Sequence, residues 1–395
     1  MRKKESQLVM TGSIVPFTNA VDYKKARKAY RKLKVPKEYY DPCAVPWEAS
    51  SWFGFLSERS IGKTTNILLF GLILNKLYGT QVQYIRETPE MLAPKNMANL
   101  CSVIQNCGYI QDLTDGEYNG IEYHARKWRY TYYDPELGKI TARSDVVISC
   151  LAVTESGIYK SSYNAPNGDF IIFDECISRY NYHNEFVDFC DLTKTIGRDR
   201  DSIKIILLAN TIDPYAPIFE EIEGQNIIET MEIGTHEQYL THGGTPVYLE
   251  LCGNQNPERA RINSLFYGFK NPKLRSITGG GWAMNNYPHN YFRDYETVDR
   301  SHFIRCSNNI LVQLELCKAD EIGFFVNVHK ATRFKDTDII WTTGTINTAQ
   351  ERFKYGYTPL DKLLLELKNK NRWYYSSNMI GTLVATYFRM ADTIK

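Results

Sequence analysis

An apolar segment, a polar loop and a longer apolar segment follow one another near the start of the chain, and they constrain its fold more than any other feature. The first segment, Trp52 to Leu56, has the length and composition of a short buried strand. The second, Lys63 to Tyr78, is apolar along most of its length, as expected of a helix buried against a sheet. The chain is therefore expected to form a strand, a loop and a buried helix in that order.

The loop between these segments ends in Gly62-Lys63-Thr64. Where a loop joins a strand to a helix, its backbone N–H groups and the helix dipole attract phosphate, so this context indicates a phosphate-binding P-loop. We expect Lys63 to contact the β- and γ-phosphates of ATP and the Thr64 hydroxyl to bind Mg²⁺. The candidate nucleotide-binding residues are Ser57, Glu58, Arg59, Ser60, Ile61, Gly62, Lys63, Thr64 and Thr65. Ser57 stands where the usual motif has glycine, and the alternative is a capped helix start after an ordinary turn.

A second apolar strand, 170–173, ends in the carboxylate pair Asp174-Glu175. In a P-loop enzyme the aspartate lies near the metal and an adjacent glutamate polarises the attacking water. The separation from Lys63, 174 − 63 = 111 residues, leaves room for two more strands. This is expected when another strand lies between the phosphate-loop strand and the acidic strand. A strand that merely ends in a polar turn is the alternative, but together the two motifs predict ATP hydrolysis.

Further strand candidates alternate with helical stretches and predict crossover connections in a mostly parallel sheet. They are 82–86, 146–151 and 203–209, with a hairpin of 122–133 and 139–143 inserted among them. Asn210 follows the last strand and is a candidate for sensing the γ-phosphate, although asparagine often simply ends a strand.

Two arginines precede that last strand, in Gly197-Arg198-Asp199-Arg200-Asp201. One interpretation is a solvated charged turn. The other is an arginine finger, which neutralises transition-state charge on a neighbouring subunit's nucleotide and contributes about 10³–10⁵ in rate. Such a finger requires a ring or another oligomer.

Composition limits the partners and the compartment. Lys+Arg 47 against Asp+Glu 45 leave the chain nearly neutral, which still allows one face or channel that binds nucleic acid. The basic stretch 22–37 has the apolar stripe of a helix that Pro36 would end, and it is either a solvated helix packed on the main domain or a contact for phosphates or an acidic partner. No apolar run is long enough to predict a membrane span. Nine scattered cysteines without a C-x-x-C motif indicate reduced thiols.

The character of the sequence changes after about residue 240, where loop signals become dense. Strand-like runs at 310–316, 322–328 and 338–342 are followed by helix candidates at 359–368 and 377–390. This pattern predicts a second α/β or α+β domain.

In their order and context, these motifs resemble the DNA-packaging ATPases of small tailed phages, relatives of the terminase large subunits. The resemblance covers roughly residues 50–220. It rests on Arg59 to Thr64, Tyr84 to Arg86, Lys160 to Pro166, Phe173 to Glu175, Gly197 to Arg200, Ala209-Asn210 and Pro214-Tyr215.

The resemblance implies an α/β fold: an additional-strand (ASCE) P-loop ATPase domain with a mostly parallel sheet, followed by an RNase H-like domain whose nuclease site is vestigial. The corresponding divisions are 1–46 for a basic N-terminal extension, 47–235 for the ATPase domain, 236–300 for a linker region and 301–395 for the RNase H-like domain. In an active nuclease the second domain would need clustered carboxylates that bind two metals. Glu315 lies in a strand candidate there, but Asp361, Glu366 and Asp392 fit helix surfaces equally well.

The resemblance also implies a motor that drives double-stranded DNA through a portal into a preformed capsid. Members of this family work as homo-oligomeric rings, commonly pentamers, in the host cytoplasm and transiently at the portal vertex. The implied roles are Mg²⁺ binding by Thr64 and Asp174, water activation by Glu175, a finger in trans at Arg198 or Arg200, coupling at Asn210, and nucleotide contact or subunit signalling at Arg59. Lys160, Arg179 and Lys95 are candidate DNA contacts, with surface charge as the alternative.

Three rival functions stay open on the sequence. The first is a ring helicase or another nucleic-acid-dependent ATPase. The second is a packaging nuclease with an active C-terminal domain, and the third is a nucleotide-binding scaffold without turnover.

Overall fold

The computed structural model describes residues 21–57, 61–177, 185–198, 200–210, 216–253, 287–306, 310–356 and 358–393. Within these ranges the chain forms two β-sheets, one of nine strands and one of six.

The first sheet is built around parallel strands. Its strands are β1 (Trp52–Ser57), β2 (Val82–Arg86), β3 (Gly120–His124), β4 (Lys127–Asp134), β5 (Lys139–Ala152), β6 (Phe170–Asp174), β7 (Lys204–Ala209), β8 (His236–Leu240) and β9 (Pro246–Cys252). Their order across the sheet is β3-β4-β5-β2-β6-β7-β1-β9-β8. The pairs β3–β4, β4–β5 and β8–β9 are antiparallel, and the pairs from β5 across to β9 are parallel.

Strand β7 pairs with β1 on one side and with β6 on the other. One strand therefore separates the phosphate-loop strand from the acidic strand, and the predicted additional-strand α/β fold with a mostly parallel sheet is confirmed. Because these three strands are parallel, Ser57, Asp174 and Asn210 all lie at the carboxyl edge of the sheet.

Apolar side chains alternate between the two faces of this sheet, as the pleat of a strand requires. Phe170 and Ile172 join the core on one face, while Ile171 and Phe173 join the core on the other. The helices of this part of the chain are α1 (Tyr23–Lys32), α2 (Lys63–Tyr78), α3 (Pro94–Asn106), α4 (Tyr109–Leu113), α5 (Ser156–Ser162), α6 (Glu185–Gly197), α7 (Pro217–Glu221) and α8 (Gln225–Thr230).

Helix α1 is anchored in the first of these cores. Its buried residues Tyr23, Ala26 and Tyr30 pack towards α2, and Tyr23 stacks on the fully buried Trp47. The described part of the predicted N-terminal extension is therefore packed on the sheet domain. The helix ends at Lys32, before Pro36, because Lys34 adopts a left-handed conformation with φ 53°.

The predicted hairpin is divided differently in the structure. Ala125 and Arg126 both have positive φ, so the expected strand 122–133 is broken into β3 and β4 by a two-residue turn. Strand β5 runs without interruption from Lys139 to Ala152 and joins two segments that the sequence suggested were separate.

The second sheet contains β10 (Glu296–Arg305), β11 (Leu311–Ala319), β12 (Gly323–Ala331), β13 (Ile339–Thr342), β14 (Glu351–Phe353) and β15 (Trp373–Tyr375), in the order β14-β13-β10-β11-β12-β15. Helices α9 (Pro359–Asn369) and α10 (Asn378–Thr393) contribute to one core with these strands. The three consecutive strands β10, β11 and β12 are antiparallel, whereas β13, β14 and β15 join in parallel. A second α/β unit is thus present, and its RNase H-like character stays a prediction.

The strands of the two sheets extend beyond the boundaries expected from the sequence. Strands β8 and β9 belong to the first sheet, so that sheet continues past residue 235 to Cys252. Strand β10 begins at Glu296, inside the segment 236–300 that was expected to be a linker. In the described ranges no helix is long and apolar enough to cross a bilayer, and all nine cysteines are free thiols.

Candidate nucleotide-binding site

Helix α2 begins at the carboxyl edge of β1, and Gly62 forms its N-cap. Gly62 has φ 79°, and a Cβ atom there would lie 2.9 Å from the Tyr39 ring. A side chain would therefore be strained by its backbone conformation and crowded by its neighbour. This glycine allows the chain to turn sharply into the helix, so that the backbone N–H groups of the first turn face the end of the sheet.

Lys63, the first residue of α2, extends along the end of the sheet instead of into solvent. Its side chain is buried, and its Nζ donates hydrogen bonds to Ser57 Oγ at 2.9 Å, to the Ala209 carbonyl at 2.9 Å and to Asn210 Oδ1 at 3.0 Å. Burial lowers the pKa of Lys63, and nearby acidic groups, among them Asp174, oppose this shift. The ammonium group is thus held where β1 and β7 end, in direct contact with the predicted coupling residue.

Asp174 meets the start of α2 across the same edge. Its Oδ1 accepts a hydrogen bond from Thr64 Oγ1 at 3.0 Å, and its Oδ2 accepts from the Tyr84 hydroxyl at 2.6 Å and from Arg86 Nη1 at 3.0 Å. Two oxygens about 3 Å apart match the separation of adjacent ligands in an octahedral Mg²⁺ shell with bonds of about 2.1 Å. Thr64 and Asp174 therefore fit the pair of metal ligands predicted from the sequence.

Glu175 is held by an ion pair. Its Oε2 accepts from Arg86 Nη2, so one guanidinium binds both carboxylates of the acidic pair. Glu175 has φ 55°, a conformation that non-glycine residues rarely adopt, and its side chain is 45% exposed. Burial acts to lower the pKa of Arg86, but Tyr84, Asp174 and Glu175 outweigh it and raise the pKa.

Arg86 and Tyr84 are the site residues whose roles the sequence did not indicate. Both lie on β2, two residues apart, so their side chains project from the same face of the sheet. Strand β2 pairs with β6, which brings that face next to Asp174. Polar residues at alternate positions near the end of an apolar strand are the only signal in the sequence, and it is a weak one.

The two candidate finger arginines differ in the structure. Arg200 Nε pairs with Asp169 Oδ1 at 2.6 Å, and Arg200 Nη2 donates to two backbone carbonyls, those of Ala165 and Ile196. Arg198 is exposed, and no ion pair joins its guanidinium to another described residue. Arg200 thus has a local structural role, which leaves Arg198 as the better candidate.

These two arginines lie at the amino edge of the sheet, opposite to the phosphate loop. Asp169, the partner of Arg200, precedes β6, and Asp174 ends that strand. Five residues of extended chain span about 17 Å. Arg198 therefore lies at the opposite end of the sheet from the Lys63 and Asp174 of its own chain.

The remaining candidates lie on the surface away from this cluster, lie beside it in the loop and first turn of α2, or lie outside the described residues. Lys160 forms an ion pair with Asp191 at 2.7 Å on the surface between α5 and α6, and Lys95 is exposed in the first turn of α3. Thr65 lies in the first turn of α2, and Ile61 is buried before it. The predicted residues Glu58, Arg59, Ser60 and Arg179 lie outside the described residues.

The carboxylate considered for a nuclease site has a different environment. Glu315 on β11 accepts hydrogen bonds from Arg300, Thr297 and Asn327. Within the part of the chain that the structure describes, no three His, Cys, Asp or Glu side chains are grouped so that they could hold a metal ion. Asp361 is buried beneath His302 and Trp341, while Glu366 pairs with Lys370 on the helix surface. Asp392 accepts a hydrogen bond from Tyr355.

The order of strands and the groups at their carboxyl edge define an additional-strand P-loop fold. Neither a protein-family model nor a curated protein matches the chain. Among solved structures, the chain is similar to the Phi-28 gp11 DNA packaging motor, with 17% sequence identity and a TM-score of 0.53 over 91% of this chain and 99% of that one. It is also similar to the bacteriophage Phi-29 viral genome packaging motor assembly, with 16% identity and a TM-score of 0.54 over 90% of this chain and 100% of that one. The chain thus shares its fold with DNA packaging motors along about nine-tenths of its length.

Proposed function

We propose that this protein hydrolyses ATP and uses the energy to move double-stranded DNA into a viral capsid. The observation that carries the proposal is the meeting of Lys63, Thr64, Asp174 and Glu175 at one edge of the sheet, where β7 lies between β1, which precedes the phosphate loop, and β6, which leads to the acidic pair. The fold shared with two packaging motors supports DNA translocation as the work performed. A homo-oligomeric ring at the capsid portal, with the pentamer as its expected size, belongs to the same proposal.

The two oxygens of Asp174 have separate tasks in this mechanism. Tyr84 and Arg86 hold Oδ2, which turns Oδ1 towards the Thr64 hydroxyl. Thr64 and Oδ1 would then hold Mg²⁺, which neutralises charge on the β- and γ-phosphates when bound. Arg86 and Tyr84 would act as positioning residues, because they bind Oδ2 of Asp174 and leave Oδ1 to the metal.

Glu175 would act as the general base. A water oxygen attacks the γ-phosphorus, its proton passes to the Glu175 carboxylate, and the bond to the β–γ bridging oxygen breaks to release ADP and phosphate. In the structure Arg86 binds Oε2 of this carboxylate, and Oε1 is the second oxygen that could accept the proton. Arg86 would thereby orient the base through one of its two oxygens.

Asn210 is suited to report the state of the phosphates through Lys63. The Lys63 ammonium group now binds Ser57, Ala209 and Asn210. An ammonium group has three N–H donors, so a bound phosphate can be contacted only if some of these bonds are given up. Nucleotide binding would break the hydrogen bond between Lys63 and Asn210, and loss of the γ-phosphate would allow it to form again.

The site would be completed by a neighbouring subunit. Arg198 lies at the amino edge of its own sheet, so its guanidinium can reach a phosphate site only on another copy of the chain. Such an arrangement makes hydrolysis depend on assembly and couples neighbouring sites.

The test of this proposal is the substitution Glu175→Gln, which removes the base and preserves the shape of the side chain. We expect ATP turnover to fall by about 10²–10⁴ while nucleotide binding persists. Asp191→Asn is the matched control, because it removes one exposed carboxylate from α6 and should leave turnover unchanged. Turnover in Glu175→Gln equal to that of the control would contradict the mechanism and favour a scaffold that only binds nucleotide.

The readout with nucleic acid separates the motor from its rivals. Hydrolysis stimulated by duplex DNA without strand separation, together with DNA protected inside procapsids, would support packaging. Strand separation would favour a helicase. DNA cleavage that requires a divalent metal and disappears in Glu315→Ala would favour the nuclease, although the closed environment of Glu315 argues against it.

A further inference from the structure

The solvent-facing side of α1 carries a dense group of cations. The helix has one buried side, made by Tyr23, Ala26 and Tyr30 and continued by Leu33 after its last turn. The opposite side, which we call the cationic face, consists of Lys24, Lys25, Lys28, Arg31 and Lys32, all of them exposed. At about 100° per residue these five side chains fall within an arc of roughly 120°, and they extend along roughly 12 Å of the helix.

These cations are free of carboxylate partners among the described residues. None of the ion pairs between described residues involves the cationic face, whereas Arg27, at the border of that face, pairs with Glu48. Asp22 uses its carboxylate to cap the helix at the Lys25 N–H. Mutual repulsion between adjacent ammonium groups destabilises an isolated helix. Packing of the buried side must therefore stabilise α1.

The anchoring of α1 makes the cationic face a fixed surface. Tyr23 stacks on Trp47, Tyr30 packs against Phe70, and the Tyr78 hydroxyl donates to the Asp22 carbonyl. A ligand would therefore have to order only side chains and not the backbone, which reduces the entropic cost of binding.

We infer that the cationic face of α1 binds the phosphate backbone of duplex DNA. Five cations along about 12 Å approach the density of one phosphate per about 1.7 Å of duplex axis, counted over both strands. Lysines dominate the face, and an ammonium group contacts phosphates without reading base sequence. The choice of DNA as the nucleic acid rests on the proposed function, but binding at this face does not require ATP hydrolysis.

The chemistry of the face disfavours a protein partner. Protein interfaces are enriched in aromatic residues and depleted in lysine, and the arc from Lys24 to Lys32 contains no exposed aromatic or aliphatic side chain. On the side towards α4, Asp112 and Asp115 flank Lys32 across a groove between the helices. These carboxylates would repel phosphate, so the DNA backbone would lie along the line of Lys24, Lys28 and Arg31.

The test measures the binding of the full chain to a duplex of about 30 base pairs, without nucleotide, as salt is raised from roughly 50 to 200 mM. The test variant combines Lys24→Gln, Lys28→Gln and Arg31→Gln. The control combines Lys127→Gln, Lys139→Gln and Lys330→Gln, three exposed cations elsewhere with the same change in net charge. Thermal unfolding of both variants confirms that each is folded.

Each lost phosphate contact should reduce the slope of log K against log salt by about 0.9. We expect the slope of the test variant to fall by about two to three, and its affinity near 0.15 M salt to fall about ten- to hundredfold. The control should change the slope by less than about 0.5. Equal effects in the two variants, or none in the test variant, would overturn the inference.

Two further measurements identify the partner of the cationic face and test this inference separately from the proposed ATPase. Loss of polyglutamate binding or of duplex RNA binding, with DNA binding intact, would assign the face to a different partner and overturn the inference. Glu175→Gln should leave the salt slope unchanged, so failure of the proposed ATPase and failure of this DNA contact give different results.

Discussion

Asp174 and Glu315 are both buried carboxylates at strand positions, and both bind an arginine, yet only one belongs to a site that can act on a ligand. Asp174 uses Oδ2 for Tyr84 and Arg86, which leaves Oδ1 facing Thr64. At Glu315, by contrast, Arg300 and Thr297 bind Oε1, and Asn327 binds Oε2, which also lies 3.8 Å from His329 Nε2. The comparison teaches that burial and an arginine partner do not by themselves define a reactive carboxylate; what distinguishes Asp174 is that its Oδ1 meets Thr64 at the start of α2, next to Lys63.

The largest expected difference between the two carboxylates is catalytic. Asp174→Asn should reduce ATP turnover by about 10²–10³, because in the proposed mechanism the amide would remove the charge that holds Mg²⁺. Glu315→Gln should leave turnover within about twofold, since its hydrogen bonds go to Thr297, Arg300 and Asn327 and to no residue of the candidate nucleotide site. Steady-state hydrolysis with saturating Mg²⁺ and ATP measures both. Equal losses would mean that the second carboxylate also serves the reaction.

The arginine partners should differ in their contribution to stability. Arg86→Ala leaves Asp174 buried without its cation, and we expect the free energy of unfolding to fall by about 3 kcal/mol. Arg300 has a side chain that is 66% exposed, and Glu315 keeps Thr297 and Asn327, so Arg300→Ala should cost about 1 kcal/mol. Urea unfolding of each variant gives the comparison. A larger loss in Arg300→Ala would show that the Glu315 cluster, not the nucleotide edge, is the more tightly coupled region.

The regions around the two sheets should also differ in how their stability changes at alkaline pH. In the described residues the buried lysines, Lys63 and Lys204, both lie in the first sheet domain. Burial lowers the pKa of Lys204 to about 8, and its Nζ donates to the Ser50 carbonyl. Between about pH 8 and 10.5 the unfolded chain binds a proton that the folded chain has lost, so this group adds stability as the pH rises.

Lys204→Met should abolish this dependence. The free energy of unfolding of the native chain, minus that of the variant, should rise by up to about 3 kcal/mol across the same pH range. The difference between the two proteins removes the contribution of the cysteines and tyrosines that titrate there. A constant difference would indicate that Lys204 stays charged in the folded protein.

The sequence predicted the centre of the fold because each signal there was local. A Gly-Lys-Thr loop between apolar segments specifies its own strand and helix, and Asp174 directly follows an apolar strand. The spacing between Lys63 and Asp174 left room for further strands, but the strand that separates β1 from β6 is β7, which follows Asp174 in the chain and was predicted from its own apolar run. Lys63 contacts Asn210 and Thr64 contacts Asp174 in the structure, while the roles assigned to these residues stay predictions.

The remaining features depend on partners that are distant in the sequence. Arg86 contacts carboxylates 88 and 89 residues away, and nothing near it reveals that β2 pairs with β6. Strand β8 is largely exposed, and β10 alternates between exposed and half-buried residues until it enters the core near its end, so neither shows the apolar alternation of a strand with one buried face. Gly and Pro residues around them favoured a linker, whereas the backbone hydrogen bonds of the sheets decide the outcome.

Arg198 lies at one edge of the first sheet and Lys63 at the other, so the number of complete sites depends on how the copies are arranged. If each complete site needs a lysine from one copy and an arginine from the next, contacts between copies are head-to-tail, and only a closed ring leaves no edge unmatched. An open, linear assembly then always has one complete site fewer than it has subunits. Closure therefore adds a whole site in a single step, and the gain in activity per subunit on closing is greatest for the smallest rings.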